Sequence, residues 1–190
     1  AIRDLAALPP RRPAKIALSM VPAGSAAEAG LLAEVEADPE NAEAAQRVAL
    51  CNQGVRRLYV ARDQSGAACY CQWVIWPQDH HLIDEYSPGL YPKLAEGEVL
   101  LEGAYTYGAF RRLGAMADGM HQLSEIARSE GAKVAFTYVA SDYPPSIRGC
   151  ANVGYDLDHL RVSTRRLFRR TLTFVPPDAE ARAAWETATG

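Results

Sequence analysis

The chain has no run approaching the roughly 20 apolar residues that a membrane span requires and no excess of basic residues. Its 20 Lys and Arg stand against 23 Asp and Glu, a net charge of -3, so the electrostatic footprint of a general nucleic-acid binder is missing. Cysteine is scarce, four in all, too few at this length for a disulfide framework. Cys69 and Cys71 stand two apart in a strand-like run and share a sheet face. Cys51 and Cys150 offer no spacing that completes a zinc set, so free thiols and no metal are expected. The first twenty residues carry Arg3, Arg11, Arg12 and Lys15 among prolines, where a secretory signal would need an apolar stretch. The expectation is a cytoplasmic protein with no membrane or nucleic-acid partner.

What is present suits one globular domain. The 190 residues are 48% hydrophobic and 23% charged, ordinary for a folded α/β unit with a real core. The opening AIRDLAALPPRRP reads as an irregular or loosely docked arm over 1–13, and the acidic, Ala-rich PPDAEARAAWETATG as a tail over 176–190. The domain is expected over 14–175. Within it AKIALSMV reads as a strand, and 26–36 and 41–52 as Ala/Glu/Leu-rich helices with a breaker between them. VRRLYVARD and AACYCQWVIW, joined by Gln-Ser-Gly, carry a hairpin signal. A polar, Pro- and aromatic-rich segment over 77–97 reads as a long loop, a kind that is usually functional or disordered. A strand over 98–110, a helix over 114–130 ended by Gly131, a buried strand over 133–140, a short helix over 144–152 and two antiparallel strands follow. The order β-α-α-β-β-β-α-β-α-β-β predicts an α/β (α+β) fold with a mixed sheet and helices packed over it.

The most informative stretch is Phe110-Arg111-Arg112-Leu113-Gly114-Ala115-Met116, where a strand runs into a helix. A helix start presents unpaired N–H groups and the positive end of the helix dipole. Gly114 would let a diphosphate approach that backbone, with Arg111 and Arg112 adding charge beside it. A helix cap with solvated charges is the other reading of the same residues.

Here the chain resembles the GNAT superfamily of acyl-CoA-dependent N-acetyltransferases. The family signature Q/R-x-x-G-x-G/A is met by Arg111 and Gly114, with Met116 in the last place. Downstream, SDYPPSIRGCANVGYD looks like a second family block, Ser146, Gly154 and Tyr155 falling on its Ala/Ser, Gly and Phe positions. The resemblance implies a mostly antiparallel central sheet with helices on both faces, and acetyl-CoA or another acyl-CoA as cosubstrate. It implies an amine acceptor, small molecule or protein, and admits a homodimer. Leu113, Gly114 and Ala115 would offer N–H groups to the CoA diphosphate, and Ala104, Tyr105 and Thr106 would pair with the pantetheine amides along a splayed edge. Met116 replaces a small residue and predicts a crowded or shifted last turn of the loop. Tyr143 replaces the usual Asn, and Cys150 stands where many members carry the Tyr that protonates the leaving thiolate.

Acyl transfer from a thioester needs a neutral amine, donors for the oxyanion, and a thiolate that leaves protonated. The resemblance places a base on the cofactor strand, where Glu102 is the first candidate and Glu98 the second, both on one face with Leu100, Ala104 and Thr106 if the alternation is regular. A salt-bridged or solvent-facing carboxylate is the other reading of each. His80, His81 and Tyr86, beside Asp84 and Glu85, either line the acceptor pocket or form a polar surface loop. Cys150 is a thiol acid or a core filler. The pairs Arg165-Arg166 and Arg169-Arg170 form a basic stripe near the last hairpin. The expected function is acyl transfer to an amine by direct attack, the alternative a non-catalytic acyl-CoA-binding or interaction module that kept the fold.

Overall fold

The computed structural model describes residues 1–37, 42–86, 88–167 and 169–189. Its centre is a six-stranded sheet of β1 (Ile2–Asp4), β2 (Leu18–Pro22), β3 (Leu58–Asp63), β4 (Ala68–Ile75), β5 (Glu98–Thr106) and β6 (Val134–Phe136), in the spatial order β1-β6-β5-β4-β3-β2. Every neighbouring pair is antiparallel except β5 and β6. A separate hairpin joins β7 (Leu160–Arg166) and β8 (Arg169–Val175). The expected fold class, a mixed and mostly antiparallel sheet with helices on both faces, is the one observed.

The two faces follow from period-2 alternation along buried strands. Leu58, Val60, Trp73, Ile75 and Leu100 point to one side, where Leu31 of α1 (Leu31–Ala37), Leu50 of α2 (Ala42–Asn52) and Ile83 of α3 (His80–Tyr86) cover them. Tyr59, Ala61, Val74, Val99 and Leu101 point to the other, under Met120, Leu123 and Ala127 of α4 (Ala115–Ser129) and Cys150 of α5 (Pro144–Asn152). The β3–β4 hairpin closes as the sequence indicates: Gly66 takes φ 87° and the Asp63 carboxylate accepts the N–H groups of Ser65 and Ala67 at 2.9 and 3.0 Å.

Several segments differ from expectation, and the strands read over 98–110 and 133–140 end already at Thr106 and Phe136. The opening segment is no loose arm: Ile2–Asp4 is an edge strand antiparallel to β6, Leu5 is fully buried, and Arg11 binds Asp118 at 2.6 Å. Asp118, in the first turn of α4, also accepts the Ala14 N–H at 2.8 Å. Burial pushes its pKa up, but Arg11, Ala14 and Gln122 outweigh it and hold the carboxyl below its usual value. The 77–97 segment is not all loop, because a 3₁₀ turn at Pro77–Asp79 leads into α3. The tail forms α6 (Ala179–Thr189), started by the Asp178 carboxylate on the Ala181 N–H at 2.8 Å and packed on α5.

Candidate functional site

β5 and β6 run parallel through only three couples, Glu98–Val134, Val99–Ala135 and Leu100–Phe136. β6 then ends while β5 continues to Thr106. The next N–H of that chain, Thr137, donates to the Ala1 carbonyl at 3.0 Å, on the side away from β5. The strands therefore part. Glu102 and Tyr138 each lie two residues past the last couple, so they are the first residues on the Leu100 face to flank the gap.

Glu102 is half-buried there. Tyr91 and the Gly103 N–H favour its charged form, as do Arg161 and Arg47 nearby, but burial exceeds all of these and raises its pKa above the usual carboxylate value. The Arg161 guanidinium lies over the rings of Tyr91 (5.4 Å) and Tyr138 (5.1 Å), and its Nη1 donates to the Leu90 carbonyl at 3.2 Å. The Tyr138 hydroxyl is 2.5 Å from His159 Nε2, and His159 Nδ1 in turn meets the Asp158 carboxylate. Phe174 of β8 packs edge-on against both Tyr138 and His159. Burial raises the Tyr138 pKa despite Arg161.

Tyr91, Tyr138, Asp158, His159 and Arg161 were not read from the sequence as site residues. They come from three segments that only the tertiary fold unites: the stretch before β5, the end of β6 and the start of β7. The one local trace is the adjacent Asp158-His159 pair, since the place of Tyr138 follows only from the β5–β6 register.

The regular alternation expected along 98–106 fails at one residue. Between β4 and β5, Trp73 pairs with Glu102 but Cys71 with Tyr105, so β5 carries one residue more than its partner. This is a β-bulge with Gly103 at φ 68°. Beyond it Tyr105 and Tyr107 join the Leu100 face, and Ala104 turns to the opposite face. Ala104 and Thr106 therefore do not share the face of Glu102. The Gly103 and Ala104 carbonyls accept Arg47 at 2.9 and 2.6 Å, while the Tyr105 hydroxyl donates to Glu34 at 2.8 Å.

After β5 a 3₁₀ turn at Gly108–Phe110 leads through Arg112, at φ 64°, to Gly114, which caps α4 at φ 86°. Only glycine adopts this conformation without cost. A Cβ there would lie 3.4 Å from Ala14 Cα, and the Leu113 carbonyl accepts the Lys15 N–H at 2.8 Å. Residues 14 and 15 thus line one side of the turn. Arg111 is exposed and folds back so that its Nε donates to the Thr106 carbonyl at 3.3 Å; Arg112 is exposed as well. Ala115 is buried beneath the turn. Met116 does not crowd the loop as expected: a Cβ on Gly149 of α5 would meet its sulfur at 2.8 Å, so the side chain is seated against that glycine.

The remaining candidates lie apart from the gap. The Glu98 carboxylate accepts the Ala95 N–H at 2.7 Å and closes the turn before β5. His80 begins α3, buried with its pKa lowered by desolvation, and His81 is exposed with Nδ1 2.8 Å from the Gln78 carbonyl. No described hydrogen bond or ion pair joins either to Glu102. Tyr86 ends α3, and its side chain lies outside the described residues, as do those of Arg166, Arg169 and Arg170. Cys150 is fully buried, and desolvation raises its thiol pKa to about 12. That placement makes it core. Cys150→Ala is expected to lower the melting temperature, at a cost of roughly 1–2 kcal/mol for the small cavity. Any acyl-transfer rate should change less than tenfold, as thermal melts and thiol-release assays would show.

All four cysteines are free thiols. Among the described residues no group of three or more His, Cys, Asp or Glu is placed to hold a metal, and no helix is long and apolar enough to cross a membrane. Comparison with family models, with curated proteins and with solved structures gives no match for this chain.

Proposed function

We propose that the chain is an acyltransferase of the GNAT type, moving an acetyl or other acyl group from acyl-CoA to an amine by direct transfer in a ternary complex. The observation that carries this reading is the parting of the one parallel strand pair beside a half-buried carboxylate of raised pKa. An extended acyl-pantetheine arm would lie in the gap along Ala104, Tyr105 and Thr106 and present its thioester near Glu102. The turn from Arg111 to Met116 would take the diphosphate through main-chain N–H groups and the two arginines. Glu102 would accept the proton of the attacking amine. Free thiols and acyl-CoA chemistry suit a cytoplasmic setting.

The second reading, an acyl-CoA-binding module without turnover, draws on the burial of Cys150 and on Arg47 already holding the Ala104 carbonyl. Thiol release from acetyl-CoA across a panel of amines separates the two, with Glu102→Gln as the control. Arg111→Glu is expected to weaken CoA binding at least tenfold by calorimetry, because it sets a negative charge beside the diphosphate. Unchanged affinity would remove the cofactor from this turn.

A further inference from the structure

The basic stripe of the last hairpin has no part in the proposed transfer, and its register is not that of an ordinary solvated face. β7 and β8 pair with each other and with no strand of the main sheet. Arg165 stands opposite Arg170 and Arg166 opposite Arg169, so two like-charge couples follow one another at the end of the ladder. Like charges directly opposite destabilise a strand pair. The arginines thus meet where folding alone disfavours them.

The turn between these couples is equally unfavourable for folding. Leu167 is 92% exposed, the most exposed large hydrophobic side chain among the described residues. It also sits at φ 42°, in the left-handed region that a leucine adopts only at a cost. Phe168 follows it in the sequence and lies outside the described residues. The tip reads Arg-Arg-Leu-Phe-Arg-Arg, an apolar centre bracketed by cations. The base of the hairpin, by contrast, is anchored, Arg161 on the Leu90 carbonyl and Phe174 against Tyr138 and His159. At about 3.3 Å per residue the tip stands roughly 20 Å along the strand from that anchorage.

We infer that this tip docks on an anionic phospholipid surface, with Leu167 entering the interface and the neighbouring arginines at headgroup level. The two parts of the tip match the two parts of such a surface. Lipid headgroups take guanidinium groups, each cation near the surface being worth about fivefold in affinity, and the acyl boundary takes an apolar side chain. The chain's net charge of -3 does not oppose this, because charges farther than about 8 Å from the surface are largely screened and the arm is longer than that. Surface docking needs no spanning helix, so the missing apolar run that argued against a membrane partner does not bear on it. Nucleic acid is the other polyanion an arginine-rich arm can meet, but it calls for a domain-wide basic excess that this chain lacks. The inference is independent of the acyl-CoA reading.

The test mixes the full chain with vesicles of phosphatidylcholine, either alone or with roughly one-third phosphatidylserine, and measures the fraction that sediments with them. Wild type is expected to favour the anionic vesicles at least tenfold and to bind them less as salt is raised. Arg165→Glu combined with Arg166→Glu turns both like-charge couples into opposite-charge pairs. That variant should melt no lower than wild type yet bind anionic vesicles at least a hundredfold more weakly, a pairing of results that a merely structural role would not produce. Leu167→Ser should weaken binding roughly tenfold by removing the apolar part. Failure of the wild type to bind anionic vesicles, equal binding to neutral ones, or binding that survives either change would overturn the inference. Retention of an RNA or DNA oligonucleotide in place of the vesicles would overturn it as well, and would assign the arm to nucleic acid.

Discussion

Glu102→Gln is expected to lower the rate of thiol release from acetyl-CoA by at least a hundredfold, with CoA affinity within about twofold of wild type. Removal of a positioned general base typically costs 10²–10⁴ in rate, whereas the amide has the same shape and keeps one accepting oxygen beside Tyr91 and the Gly103 N–H. The base works only when ionised, so wild-type kcat/KM should rise with pH through a pKa above the ordinary carboxylate value, a limb the Gln variant lacks. The same burial makes a stability statement of opposite sense. A carboxyl whose folded pKa is raised has no effect below its unfolded pKa, near 4.3. As pH rises from there the unfolded chain ionises first and gains, and the full penalty stands above the folded value. Glu102→Gln should therefore melt higher than wild type at neutral pH and equally at low pH. A variant that stays active, or that melts lower at neutral pH, would remove Glu102 from the role of a desolvated base.

Gly103→Ala is expected to destabilise the protein by about 3 kcal/mol, combining left-handed backbone strain of roughly 1–2 kcal/mol with overpacking of roughly 1–3 kcal/mol. At φ 68° a Cβ would lie 2.7 Å from Trp73 Cε3. Trp73 cannot retreat, because it is fully buried and its indole N–H is bound to the Val55 carbonyl at 3.0 Å. The melting temperature should fall by roughly 6–12 °C for a chain of this size. Gly66→Ala is the control: its φ is 87° but no atom lies within 4 Å of the added Cβ, so only about 1–2 kcal/mol of strain applies. Equal losses at the two sites would show that Trp73 yields and that the bulge is not clamped. Because the bulge decides which residues of β5 face the gap, Gly103→Ala should also weaken CoA binding in calorimetry on the folded fraction.

Much of the fold was legible because its signals are local. Gln-Ser-Gly between two β-rich runs marks the β3–β4 hairpin, Met116, Met120, Leu123 and Ile126 at helical spacing mark the core face of α4, with Met120 and Leu123 fully buried and the other two partly so, and Gly131 ends that helix in the left-handed region at φ 102°. The misses share one cause. β1 has three residues and no periodicity of its own, and becomes a strand by pairing with β6 about 130 residues away. α3 and α6 are short, and take helical form where Leu82 and Ile83 dock on one core and Trp185 on the other. The bulge at Gly103 is invisible to a count of two, so Ala104 and Thr106 were placed on the wrong face.

For the candidate site, the order of residues by itself determined that a carboxylate would sit on the strand before α4 and that Gly114 would open that helix with arginines beside it. Such features depend on neighbours in the chain, where alternation and backbone dihedrals act over a few residues. Only the tertiary structure decided where β5 and β6 part, which carboxylate stands at the gap, and that Tyr138 meets His159 and Asp158 across from it. These depend on register between distant segments, and register is settled by burying both faces of the sheet at once, a condition that no single stretch of chain can express.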